Sequence, residues 1–115
     1  MRSLNTLAAL HLAAKDFTTA ERYCRLALGF RYIADRQDLL TASLLHNLAN
    51  IRFQSGFAIE AEGLYRESLR LQEELLNPQH PALAATLQAY AKVLKRNGRI
   101  TEARRLKSRA YDLPR

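Results

Sequence analysis

Leu45, Ala49, Gly56, Glu60, Ala61 and Leu64 return 42 residues later as Leu87, Ala91, Gly98, Glu102, Ala103 and Leu106, in one register and without a gap. A fainter third copy precedes them: Leu4, Leu7, Ala8, Ala20 and Ala27 stand 41 residues before Leu45, Leu48, Ala49, Ala61 and Ser68. A period of about 20 to 50 residues built from two helical segments produces a solenoid, in which each unit buries its apolar face only against its neighbours. Units are expected at about 1–37, 38–79 and 80–115, all within one domain.

Each unit reads as a helical hairpin, which makes the expected fold all-α with six helices. Leu4, Leu7, Ala8, His11 and Leu12 have the three- and four-residue spacing of an amphipathic helix, from Ser3 to about Lys15. Asp16 can cap a second helix from Phe17 to about Asp35, in which Gly29 costs about 1 kcal/mol against alanine and could mark a bend. Asp38 caps a third that runs to Ser55, with Gly56 as its left-handed stop. The fourth runs from about Ala58 to Leu76, where Asn77-Pro78-Gln79-His80-Pro81 breaks the chain. Pro81 suits the first turn of a fifth helix, with His80 in the capping place. That helix ends at Asn97-Gly98, and the sixth spans about Ile100 to Asp112. The recurring alanines explain how paired helices approach: Ala8, Ala49 and Ala91 should meet Ala20, Ala61 and Ala103, with Ala27, Ser68 and Ala110 extending the seam.

Arg2 followed by the apolar run Leu7 to Ala14 has the outline of a weak signal peptide. The register argues against that reading, because Leu4, Leu7 and Ala8 already belong to the repeat, while Asn5 and His11 interrupt the apolar run. No run approaches the ~20 apolar residues of a membrane span, so no membrane is expected. The lone Cys24 cannot form an internal disulfide, which favours a reducing, cytoplasmic setting.

Charge is uneven. Residues 1–91 hold nine Lys/Arg and nine Asp/Glu, whereas residues 92–115 hold nine and two, so the whole net charge of +7 falls in the last unit. Such a field attracts an acidic segment. Gln88, Lys92, Lys95, Arg96 and Arg99 form one stripe at helical steps. Arg104, Arg105, Lys107 and Arg109 read instead as the polar face that ends a stack.

The small, leucine and glycine positions, with Gly-x-x-x-Glu-Ala at Gly56 to Ala61 and again at Gly98 to Ala103, resemble tetratricopeptide repeats. The 42-residue spacing, Leu-His-Asn-Leu-Ala at Leu45 to Ala49, and Asn77 to Pro81 before Ala84 resemble the kinesin-light-chain type. The first unit departs from the pattern: Lys15 replaces the turn glycine, and the linker from Gln37 lacks the His-Pro pair. The resemblance implies a right-handed α-α superhelix, a solenoid of three hairpins whose first helices line a concave groove for a partner segment. It places Asn5, Ala9, Leu12, His46, Asn50, Phe53, Gln88, Lys92, Lys95 and Arg96 on that groove. The clamp that chaperone-tail-binding members use does not transfer: its places are Asn5, Ala9, Asn47, Ala85 and Ala89, of which only Asn47 agrees.

No catalytic constellation is present. His11, His46 and His80 fall one per unit without ligand spacing, so no metal or cofactor is expected. Cys24 near His11 reads as a packed core thiol rather than a nucleophile. Two functions of different class follow. The chain is expected to be a non-enzymatic protein-interaction module or scaffold whose groove takes a protein or peptide partner, acidic in character. The weaker alternative is salt-sensitive nucleic-acid binding by the basic C-terminal repeat, which lacks the interleaved aromatic residues of a stacking platform. Three units are near the minimum for an independent stack, which leaves homo-oligomerisation or membership of a longer array open.

Overall fold

The computed structural model describes residues 16–113, which form five helices: α1 Phe17–Ile33, α2 Leu39–Gln54, α3 Ala58–Leu75, α4 Ala82–Arg96 and α5 Ile100–Tyr111. Among the described residues there is no strand. The helix expected over Ser3 to Lys15, the signal-like run and the alanine at position 8 lie outside them. Each of the five observed helices falls within two residues of its expected limits.

Local chemistry accounts for the boundaries. Asp16 accepts from the Thr19 N–H at 3.4 Å, and Asp38 accepts from the Thr41 N–H at 3.0 Å, each satisfying a donor that a helix start leaves over. At α4 the His80 ring fills that role, its Nδ1 accepting from the Ala82 N–H at 3.0 Å. The two hairpin turns are copies of one another. Gly56 (φ +94°) and Gly98 (φ +85°) are left-handed, and the next residue's N–H reaches back to the carbonyl of Arg52 at 2.8 Å or of Leu94 at 2.8 Å. The linker after α1 uses the same closure without glycine: Asp35 stands at φ +53° and Arg36 bonds back to Arg31 at 2.9 Å. Aspartate is among the residues that tolerate this region better than most. Gly29 lies inside α1 without interrupting it.

Among the described helices each packs on its chain neighbours, and beyond that only α2 and α4 bring their backbones together. This is the contact pattern of a ribbon of hairpins rather than of a closed bundle. The core follows the ribbon in two clusters. Ala20, Cys24, Leu28, Leu44, Leu48 and Leu71 join α1, α2 and α3, and Ala49, Ala61, Tyr65, Leu83, Leu87 and Leu94 join α2, α3 and α4, with Leu64 against both. The seam alanines 20, 27, 49, 61, 91, 103 and 110 are all buried. Ser68 takes the alanine's place once, and its hydroxyl donates to the Ala42 carbonyl across the hairpin at 2.7 Å.

Long side chains bridge the second helices. Arg25 reaches Glu60 at 3.5 Å, and Arg109 reaches Glu73 at 3.4 Å. Arg52 ties three helices at once, pairing with Glu21 at 2.8 Å and Glu60 at 2.9 Å while its guanidinium lies 4.2 Å from the Phe57 ring centroid.

Candidate functional site

The expected groove residues occupy one repeat position on successive first helices: His46, Asn50 and Phe53 on α2 correspond to Gln88, Lys92 and Lys95 on α4. Their surroundings differ. His46 is half-buried, edge-on to Tyr65 with centroids 5.4 Å apart at 79°, and its Nδ1 lies 3.3 Å from the Thr86 hydroxyl of α4. Asn50 accepts from the Tyr65 hydroxyl, and Phe53 packs against the cluster that joins α3 to α4. All three α2 residues are therefore engaged where the last hairpin docks. Asn5, Ala9 and Leu12 lie outside the described residues.

Gln88, Lys92 and Lys95 are exposed, and none of the described helices lies over them. Together with Ala91 of α4 and Ile100, Ala103, Arg104 and Lys107 of α5 they line a furrow of about 530 Å³. Arg96 is exposed on α4 but is not part of that lining. The structure thus brings Gln88, Lys92 and Lys95 together, whereas His46 borders a separate depression with Ser43, His80, Ala85 and Thr86. Arg104 and Lys107, expected only to keep the last helix soluble, line the furrow, whereas Arg109 pairs with Glu73. A signal for Arg104, Lys107 and Ile100 was available in the repeat itself, since 42 residues earlier stand Glu62, Tyr65 and Ala58, at the seat of α4.

Glu62 shows how that seat is held by charge. It is 5% exposed and receives Arg66 at 3.0 Å, Arg99 at 3.3 Å and the Asn97 amide at 3.2 Å, while the same amide also donates to the Ala58 carbonyl at 3.1 Å. In the furrow, by contrast, the cations are uncompensated: among the described residues Lys92, Lys95, Arg104 and Lys107 have no carboxylate at ion-pairing distance, while Arg52, Arg66 and Arg70 each have one or more.

Burial displaces three titratable groups, Cys24, His46 and Tyr65. The Cys24 thiol is pushed up to about 11 by burial, with Glu21 adding to the rise, which keeps it from the thiolate form that nucleophilic work needs. Burial holds the His46 imidazole below its usual 6.5. In mildly acidic solution the unfolded chain accordingly binds a proton that the folded one refuses, so this contribution is fully present above the unfolded value and stability falls with pH below it. Between about pH 7.5 and 5.5 the thermal midpoint of the wild type should fall more steeply than that of His46→Gln. Parallel curves would show that His46 does not couple the fold to pH.

The family's sequence profile described as Tetratricopeptide repeat matches residues 40–115, and a second profile of the same description matches residues 1–31. The chain belongs to the tetratricopeptide repeat family. Tetratricopeptide repeats generally mediate protein–protein interactions. Among curated proteins none matches the sequence. Among solved structures, the kinesin-light-chain-type, nearly identical TPR-like repeats of a Podosopora anserina protein superpose with a TM-score of 0.81 at 22% identity, covering 95% of this chain and 52% of the other. A variant of that protein superposes equally well, with a TM-score of 0.81 at 22% identity and the same coverage. The likeness is one of fold, and this chain spans about half the length of those structures. Among the described residues of this tetratricopeptide repeat protein no helix is long and apolar enough to cross a membrane, and no group of three or more His, Cys, Asp or Glu could hold a metal ion.

Proposed function

We propose that this chain is a protein-interaction module that holds an acidic partner segment along the wall formed by its first helices. The observation that carries the reading is the exposed stripe Gln88, Lys92, Lys95 and Arg96 on α4, in a unit that contributes the entire net charge of the chain. The direct approach of α2 to α4, which the second helices do not share, supports a ribbon curved with its first helices inward. His46, Asn50 and Phe53 continue that wall on α2 as its polar and aromatic part, and Asn5 holds the matching place in the first unit. Lysines and arginine so placed raise encounter rates with an acidic segment and fix its register more than they add affinity.

Replacing Lys92 and Arg96 together by glutamate should abolish capture of a Glu/Asp-rich peptide and leave the helical circular dichroism signal intact, because both side chains are exposed. Capture at wild-type strength by the double variant would sink the reading. The furrow lining contains no aromatic ring, which the stacking of single-stranded bases requires, so the structure adds no observation in favour of nucleic acid.

A further inference from the structure

The molecule contains one occupied example of a surface that none of the described helices covers on its last unit. On the second unit α4 lies over Ala49, Ala58, Ala61 and Tyr65, inserting Leu83, Leu87 and Tyr90 into the shared cluster. Its polar stitching comes from one side of the helix: Thr86 to His46 at 3.3 Å, Tyr90 to Arg66 at 3.2 Å, and Asn97 to Glu62 at 3.2 Å. Advancing those seat positions by 42 residues gives Ala91, Ile100, Ala103 and Lys107, with Gln88 for His46 and Arg104 for Glu62. These residues line the furrow between α4 and α5. The furrow is thus the seat of a helix, with the same alanine floor and a different charge.

We propose that this furrow is the docking site of an amphipathic helix, contributed by a partner protein, that carries Asp or Glu on the flanks of its apolar stripe. The floor selects a helix: two alanines let a backbone come close, Ile100 is 40% exposed beside them, and the aliphatic stems of lysine can cover the sides of an apolar stripe. The walls select acid. Lys92, Lys95, Arg104 and Lys107 surround the floor, and a further repeat built like the last one would bring the counterparts of Asn97 and Arg99 onto Arg104, where the earlier unit offers Glu62. A second copy that approached by its own last unit, which holds the whole net charge of +7, would meet the same repulsion. The inference goes beyond the inner-wall reading and shares with it the lip of the furrow, Gln88, Lys92 and Lys95.

The test uses a fluorescent synthetic peptide of about four helical turns with a leucine and alanine stripe flanked by glutamates, its lysine-flanked counterpart, and polyglutamate. The glutamate-flanked peptide should bind saturably and gain helicity, and both Arg104→Glu/Lys107→Glu and Ile100→Asp should weaken it by about tenfold or more without moving the thermal midpoint. Equal binding of polyglutamate, or wild-type affinity in either variant, overturns the proposal. So does a dimer that Ile100→Asp dissociates and the peptide leaves intact, which would make a second copy the occupant. Retention of the peptide by Asn50→Ala, with loss in the α5 variant, supports the furrow. The opposite pattern refutes it and leaves the inner-wall reading standing.

Discussion

Tyr65→Ala should lower the unfolding free energy by about 3 to 5 kcal/mol, the range of large-to-small changes at fully buried aromatic positions. Tyr65 is 1% exposed and sits where three helices meet, beside Leu83, Leu87 and Leu94. Its hydroxyl donates to Asn50, its ring meets His46 edge-on, and burial raises its pKa well above the usual phenol value. In a repeat protein, stability is close to a sum of unit and interface contributions, so this loss falls on the interface that seats α4. Urea unfolding measures the total, and hydrogen exchange should show α4 and α5 losing protection before α1 and α2 do. Tyr65→Phe retains the packing and gives up one hydrogen bond, for about 1 kcal/mol. A change below that value in Tyr65→Ala would show that the last hairpin docks by other contacts.

The second large effect is one of excess volume. Ala61→Leu should destabilise by about 1 to 3 kcal/mol or more, because extra methylenes in a packed seam force neighbouring helices apart. Ala61 is 0% exposed, enclosed by its own hairpin on one side and by α4 on the other. Ala103 holds the same repeat position at 6% exposure but borders the open furrow. Ala103→Leu should therefore cost less, since the added side chain can lean into the furrow. Equal losses in parallel thermal or urea unfolding would mean that the hairpin seam alone sets the limit and that the following helix adds no constraint.

The helix limits were legible because their causes lie within a few residues. A carboxylate three residues before an amide, a glycine that accepts positive φ and a proline at a helix start act locally, as Asp38, Gly56 and Pro81 show. Asp35 was harder to read, since it takes a left-handed conformation without being glycine and the end of α1 depends on the closure from Arg36 to Arg31. The candidate site was legible in part. The basic stripe on α4 followed from helical spacing, but Arg104 and Lys107 looked like a solvated face until α4 and α5 were seen to leave a furrow between them.

The order of the helices, the turns between them and the alanine positions at which they touch are written in the amino-acid sequence, because capping, φ preference and apolar periodicity operate over one turn or one repeat. Which copy of a repeated surface is covered and which is open is another matter. His46, Asn50 and Phe53 are engaged, and Gln88, Lys92 and Lys95 are open, because a helix docks on the former and none of the described helices docks on the latter. Side chains at equivalent positions acquire their burial, their protonation and their availability to a partner from what packs over them, and that is decided by their place in the stack.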